Sequence, residues 1–457
     1  MPSPSTAAIA PARRCAYTVL RRVFEQGAYA DEALRAESRE LDARDRALAM
    51  RLAYGAVQRA GTLDHLIASL AERPAGRLDP PLLAALRLGL YELLYLDGAP
   101  DYAVVGDAVE LAKEHARAGH GLVNAVLRRA AREGAGALLG GLSDATPEQA
   151  AVKHSHPEWI ARMWWRELGA EQARALMAAD NEPAELALRA NTLLVDAAAL
   201  AAQLPVKSHG DALAPEALVL EEPFDVHGSP LWQAGAFLAQ SRAAMLVART
   251  LAPQPGERVL DLCAAPGGKS THLAALMGGA GEVVAVERNP RRAAELRRAA
   301  ARLKAASVRV EVADATLPRR AEPPFDRVLV DPPCSGLGTL QARADLRWRA
   351  SPEGVREMAA VQARILDAGA RALRPGGVLV YSTCTISPTE NERLIEAFLD
   401  SNRDFGPEDL AGELPAMQLE RAGAPGAPGR FGAARPALTL PHRDRTAGFF
   451  IARLRRG

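Results

Sequence analysis

Residues 258–270 read RVLDLCAAPGGKS, and this stretch decides the fold. An apolar run ends at Cys263, two glycines follow at Gly267 and Gly268, and a helical pattern opens at about Lys269. A strand that turns through glycine straight into a helix is the opening unit of a doubly wound, Rossmann-like α/β sheet. The alternation recurs downstream, where EVVAVE (282–287), VRVEVAD (308–314), FDRVLVD (325–331) and GVLVYSTC (377–384) stand between helical segments. Such strands predict a parallel sheet buried on both faces. FFIARL (449–454) reads as a last strand, and LERAGAPGAPGRFGAARP (419–436) as a mobile loop.

Toward the N-terminus the pattern is different. From residue 12 to about 133 apolar residues recur at i, i+3, i+4 and i+7, in stretches such as ARRCAYTVLRRVFEQ, RDRALAMRLAYGAVQRAGTLDHLIASL, PPLLAALRLGLYELLYL and GLVNAVLRRAAR. This predicts an all-helical bundle. EGAGALLGGLSDATP (133–147) breaks the period and reads as a linker. Helical HPEWIARMWWREL and DAAALAAQL then mix with β-like ELALRANTL and ALVLEE, which predicts a small α/β domain before AQSRAAMLVARTLAPQPGE, a helix and turn. Three segments are expected: helical 1–140, connecting α/β 146–235, and a larger α/β domain 236–457.

The chain has 457 residues with a formal net charge of +1, so no global field announces nucleic acid or membrane. Residues 1–145 hold as many basic as acidic residues, and arginine clusters such as Arg128, Arg129 and Arg132 fit a solvated helix surface as well as a basic face. Cys15, Cys263, Cys334 and Cys384 lie far apart, without zinc or disulfide spacing, so neither metal nor a disulfide framework is expected. The N-terminus lacks a signal-peptide pattern and no apolar run is long enough to span a bilayer, so a cytoplasmic chain is expected. Basic residues are almost all arginine, and only Lys113, Lys153, Lys207, Lys269 and Lys304 are lysine. A lysine that persists in such a composition suggests a need for an ammonium.

Ligands of open parallel sheets bind beyond the carboxyl ends of the strands. Gly267 and Gly268 allow close backbone approach, and the spacing fits neither the dinucleotide fingerprint nor a Walker loop. Glu287 ends the second strand, where a carboxylate can accept from ribose hydroxyls, and Asp314 and Asp331 end the third and fourth. Cys334 follows Asp331 in DPPCSG, and Cys384 closes the fifth strand in YSTCT. Either cysteine alone is better read as a small buried hydrophobe, but two at one sheet edge favour a shared pocket.

The ordered set DLCAAPGGKS, AVERN, VADAT, DPPCSG and YSTCT, closing with GFFIARL, resembles the NOL/NOP/Sun family of S-adenosylmethionine-dependent RNA cytosine-C5 methyltransferases. Upstream, YELLYLDGAPDYAVVGDAVELAKEH and GLVNAVLRR resemble a NusB-like RNA-binding domain, and HSHPEWI with LRANTL resembles the connecting domain of the family's Sun-type branch, which acts on small-subunit rRNA. The resemblance spans about residues 12–454. It implies S-adenosylmethionine as cofactor, contacted by Cys263, Ala264, Ala265, Pro266, Gly267, Gly268, Lys269, Glu287, Asp314 and Asp331. It implies Cys384 as nucleophile, Cys334 as the cysteine assisting product release, and Asp331 also on the target base. Glu287 stands where Asp is common, and AQSRA (239–243) where a Gln-Asp pair is usual.

The expected partner is RNA, small-subunit rRNA first, and a monomer is expected. The same chemistry on tRNA or large-subunit rRNA is the nearest alternative. A non-catalytic RNA-binding or antitermination factor is another, opposed by the intact Cys334, Cys384, Asp331 and Lys269. A DNA cytosine methyltransferase would not require the cysteine after the fifth strand.

Overall fold

The computed structural model describes residues 9–318, 323–414, 431 and 434–457. The proposed loop 419–436 lies almost wholly outside the described residues. Contacts divide the chain into two units, one of residues 1–182 with 340–349 and one of residues 183–339 with 350–457.

The first unit is helical, as expected of residues 12–133, and continues past the expected boundary at 140 into a segment expected in the connecting domain: α1 (Pro11–Gln26), α2 (Ala30–Glu37), α3 (Ala43–Gln58), α4 (Ala60–Ala71), α5 (Pro80–Tyr95), α6 (Asp101–His115), α7 (His120–Glu133), α8 (Ala135–Gly140), α9 (Pro147–Lys153), α10 (Glu158–Leu168) and α11 (Ala170–Ala179). Asp42 caps α3 by accepting from the Asp45 amide at 2.8 Å. Pro80 opens α5, where a missing N–H costs no hydrogen bond. Leu20, Leu52, Leu63, Ile67, Leu86 and Leu127 meet in its core. Two readings change. The run RDRALAMRLAYGAVQRAGTLDHLIASL is two helices broken at Arg59, and the stretch read as a linker holds α8, because AGALLG can close helical hydrogen bonds despite its glycines.

Residues 340–349 fold into this unit although DPPCSG (331–336), shortly before them in the chain, belongs to the other. Arg347, fully buried, donates to the carbonyls of Ser155 at 2.9 Å and Asp180 at 3.1 Å and to Asn181 Oδ1 at 3.0 Å. Trp348 Nε1 donates to the Val57 carbonyl at 2.7 Å.

The second unit carries two sheets. A four-stranded antiparallel sheet is formed by β1 (Ala187–Ala190), β2 (Ser208–Gly210), β3 (Ala217–Leu220) and β4 (Phe237–Ala239) in the order β2-β3-β1-β4, with α12 (Ala197–Ala201) and α13 (Pro230–Gln233). After α14 (Arg242–Leu251) come β5 (Arg258–Leu262), α15 (Gly268–Leu276), β6 (Glu282–Glu287), α16 (Pro290–Arg302), β7 (Val308–Val312) and β8 (Phe325–Val330). The turn α17 (Leu346–Arg349), part of the first unit, is followed by α18 (Pro352–Ala372), β9 (Leu373–Thr383), α19 (Glu392–Ser401), β10 (Phe405–Glu408), β11 (Ala437–Leu438), α20 (Pro441–Asp444) and β12 (Phe450–Arg456).

The large sheet runs β10-β12-β9-β8-β5-β6-β7, with β11 on β12. Strands β5 to β9 pair in parallel, and β12 returns antiparallel to β9, so the sheet is mixed. Val259, Val283, Val284, Val328, Leu329 and Val380 are fully buried, as continuous apolar strands require. At the edge strand β7 the expectation of two buried faces fails. Charged Arg309 and Glu311 alternate with valines, and Val312 is 47% exposed.

Candidate active site

The chain leaves β5 toward β6 and β7, then crosses to β8 and β9 on the other side, so a crevice forms where the order reverses. The strand ends around this point carry the residues singled out from the sequence. At the end of β5, Cys263 has φ 66°, and Gly267 follows with φ 106°, a left-handed conformation that favours glycine. A Cβ on Gly267 would also come within 3.1 Å of Leu296 Cγ. Among the described residues no side chain caps α15, so its first-turn amides can serve a ligand.

Within this loop, Ala264 donates its amide to the Val286 carbonyl at 2.8 Å, and Arg292 reaches the Ala265 carbonyl at 2.9 Å. Pro266, which follows them, is exposed. Burial, followed by the charges of Asp331, Asp261 and Glu287, pushes the Cys263 thiol up to about 12, which keeps it neutral. Glu287 is buried at the end of β6. It accepts from the Asn289 amide at 2.7 Å, and Arg292 lies 3.7 Å away. Asp314 sits two residues past the end of β7. Its carboxylate is held below its usual range by the Thr316 amide and hydroxyl, which donate at 2.9 and 2.7 Å.

Around β8 and β9 the groups touch. Asp331 Oδ2 receives a hydrogen bond from Lys269 Nζ at 2.7 Å, and Oδ1 one from Ser382 Oγ at 2.9 Å. Burial alone would lower the Lys269 pKa, but the Asp331 carboxylate outweighs it and the ammonium is retained. The Cys334 and Cys384 sulfurs are 3.3 Å apart. The hydrogen bond with Cys384, then burial, the Cys384 charge and Glu390 raise the Cys334 pKa well above the usual thiol range.

Backbone stitching holds the two cysteine loops together. Gly338 donates its amide to the Cys384 carbonyl at 3.0 Å, and Ser335 and Thr385 share a hydroxyl hydrogen bond at 2.7 Å. The Gly448 amide donates to the Gly338 carbonyl at 2.6 Å, an approach so close that a Cβ on Gly338 would overlap Gly448.

The structure thus brings Cys334, Cys384, Asp331 and Lys269 into one cluster. Cys263 to Gly268 and Glu287 occupy the neighbouring strand ends, whereas Asp314 stands apart with its hydrogen bonds satisfied locally. Sequence reasoning missed Glu390, which is fully buried and accepts from the Ser335 amide at 2.8 Å, Ser335 Oγ at 2.5 Å and Gln362 Nε2 at 3.0 Å. It also missed Asp261, which burial pushes up to about 7 and which accepts from Ser270 Oγ at 2.6 Å. The acidic residue within STCTISPTEN was the available signal for Glu390.

Residues 248–455 match the family described as 16S rRNA methyltransferase RsmB/F. The whole chain is 36% identical to the probable ribosomal RNA small subunit methyltransferase B of Synechocystis, over 97% of this chain and 99% of the relative. The chain belongs to the RsmB/F family of 16S rRNA methyltransferases. A Bacillus subtilis protein of the same description is 34% identical over 97% of this chain and 98% of its own.

Other parts of this RsmB/F chain match as well. Residues 10–132 match the NusB family and 156–227 the RsmF/B-like ferredoxin-like domain, in line with the helical and small α/β segments read from the sequence. The crystal structure of PH0851 is similar over 99% of both chains, with a TM-score of 0.76 and 26% identity. Among the described residues no helix is long and apolar enough to cross a membrane, and no group of His, Cys, Asp and Glu could hold a metal ion.

Proposed function

We propose that this RsmB/F methyltransferase forms 5-methylcytosine in small-subunit rRNA, with S-adenosylmethionine as methyl donor and a covalent Cys384–C6 adduct as intermediate. The observation that carries the reading is the pair of thiols 3.3 Å apart beside the Lys269–Asp331 ion pair. Gly267 with its left-handed backbone, the uncapped start of α15 and the buried Glu287 suit a nucleoside bearing an amino-acid tail. Residues 263–269, Glu287 and Asp314 would hold that cofactor. When bound, it supplies an electrophilic methyl group.

Cytosine C5 is a weak nucleophile until a thiolate adds at C6 and turns C5 into an enamine carbon. The Lys269 ammonium favours Cys384 as that thiolate, since the two charges attract. Asp331 would accept from the cytosine 4-amino group. Lys269, bonded to it, can donate toward the ring nitrogen where negative charge collects. Cys334 stays protonated while Cys384 is charged, so it does not compete for C6.

Once Cys384 is bonded to carbon, the largest cause of the raised Cys334 pKa is gone. Cys334, once its own proton has passed to solvent, or water it holds, then takes the C5 proton. The C5–H electrons form the C5–C6 double bond, the C6–S bond breaks, and Cys384 leaves as thiolate. A stacked base cannot reach such a site, so the target must be unpaired or extruded, and the helical unit is assigned to presenting it.

Bisulfite sequencing of total RNA from a strain lacking the protein tests the reading. One cytosine in small-subunit rRNA should lose its methylation and regain it on complementation. Loss in tRNA or large-subunit rRNA instead would overturn the substrate, and loss nowhere the reaction.

A further inference from the structure

The motif LRANTL (188–193) has no part in the chemistry above, yet it holds one of the most deeply buried charges in the chain. Arg189 lies in β1, the strand between β3 and β4, and is 2% exposed. Its guanidinium leaves the small sheet and enters the cofactor-binding half. Nη1 donates to the Gly268 carbonyl and to Gln240 Oε1, and Nη2 donates to Thr271 Oγ1 at 2.9 Å. Thr271 Oγ1 in turn donates to the Gly267 carbonyl at 2.7 Å. One planar fork therefore holds, directly or through one hydroxyl, the carbonyls of both glycines in the turn.

One residue past the end of β1, Asn191 Nδ2 donates to the carbonyls of Gly235 at 2.9 Å and Leu303 at 2.7 Å. Leu303 ends α16, the helix after β6. The two side chains, two residues apart, fasten the small sheet to the first turn of α15 and to the end of α16. For fastening alone, a buried guanidinium is an expensive choice, since removing it from water lowers its pKa to about 9. Among the described residues no carboxylate is hydrogen-bonded to it, although the charge of Glu216 acts on it. Apart from the bond to Gln240, its hydrogen bonds go to the glycine turn and to Thr271.

We propose that Arg189 is a positioning residue for the cofactor, fixing the Gly267–Gly268 turn so that its backbone is already set for S-adenosylmethionine. The connecting domain is then part of the cofactor site and not only a spacer toward RNA. Lysine cannot replace the fork, because an ammonium is a point charge and cannot span two acceptors in one plane. The proposal rests on S-adenosylmethionine being the cofactor, and the unaltered protein checks that separately.

Calorimetry on the full chain with S-adenosylmethionine and S-adenosylhomocysteine, alongside steady-state kinetics, makes the test. If the unaltered protein binds neither ligand, the cofactor reading fails and with it this one. If it binds, Arg189→Lys and Arg189→Gln should weaken both ligands by tenfold or more. KM for S-adenosylmethionine should rise, while kcat at saturation and the KM for RNA stay within about twofold. A merely structural arginine would lower the melting temperature without moving that split.

Unchanged affinity in a folded Arg189→Lys protein overturns the proposal. Should both arginine variants fail to fold, the near-isosteric Thr271→Val decides: a threefold or greater loss of affinity for both ligands supports the turn-fixing role, and unchanged affinity overturns it.

Discussion

Two cysteines with the same side chain are set apart by what surrounds them. Cys384 lies beside the Lys269 ammonium, and Cys334 is raised by the Cys384 hydrogen bond, burial and Glu390. Cys384→Ser should therefore abolish methylation while leaving RNA binding intact, because a hydroxyl offers no anion near neutral pH. Cys334→Ala should accumulate a protein–RNA adduct stable to denaturing electrophoresis when S-adenosylmethionine is supplied, and the double variant should show none. The reverse pattern would exchange the roles. Glu390 adds a second prediction at this scale. Glu390→Gln turns one carboxylate oxygen into a donor facing the Ser335 amide or hydroxyl, at a cost of about 1 to 3 kcal/mol. Adduct breakdown in single-turnover assays should slow about tenfold or more with S-adenosylmethionine affinity unchanged, and equal rates would remove Glu390 from the machinery. Cys334 and Cys384 were legible because their types and spacing are specific. Glu390 was not, because a carboxylate in a polar loop looks solvated until its burial is seen.

At the scale of elements, α15 joins the cofactor turn to a buried ionic cluster. His272 is fully buried in α15, with Glu216 at 2.7 Å, and Arg249 donates to Glu216 at 2.9 Å. Burial first, then the charge of Arg189, lowers the His272 pKa to about 4 against the opposing pull of Glu216. A histidine with a depressed folded pKa contributes stability above its unfolded value near 6.5, and that contribution is lost as pH falls from there toward 4. The slope is about 1.4 kcal/mol per pH unit. Between pH 6.5 and 5 the parent should lose about 2 kcal/mol more than His272→Gln in urea titrations. Parallel loss in both would show that His272 is not the titrating group. Helical and strand periods were readable in this region, since apolar runs are local. That α15 receives an arginine from β1 was not, because the two are far apart in sequence.

The whole molecule divides otherwise than a linear reading suggests. A fragment of residues 236–457 follows the composition boundary, but it omits β1 and so lacks Arg189 and Asn191, which fasten to α15 and α16. Residues 183–457 contain the complete second unit, together with residues 340–349 without the rest of the first unit. The longer fragment should bind S-adenosylmethionine at least tenfold more tightly than the shorter one by calorimetry, and equal affinities would return the boundary to 236. Against the full chain, residues 183–457 should lose affinity for small-subunit rRNA in filter binding, and no loss would take RNA presentation away from the helical unit.

From sequence alone came the helical and α/β halves, the strand ends and the residues on them, since periodicity and glycine turns are local properties of the chain. The charge balance could not point to RNA, because oppositely charged residues that cancel in a sum still pair or separate in space. Only the tertiary structure drew Cys334 and Cys384 to 3.3 Å, sent Leu340–Arg349 into the helical unit, and turned Arg189 beneath the cofactor loop. Those arrangements depend on which side chains share a buried volume, and burial decides whether an arginine or a glutamate is solvated surface or a fixed group in the interior.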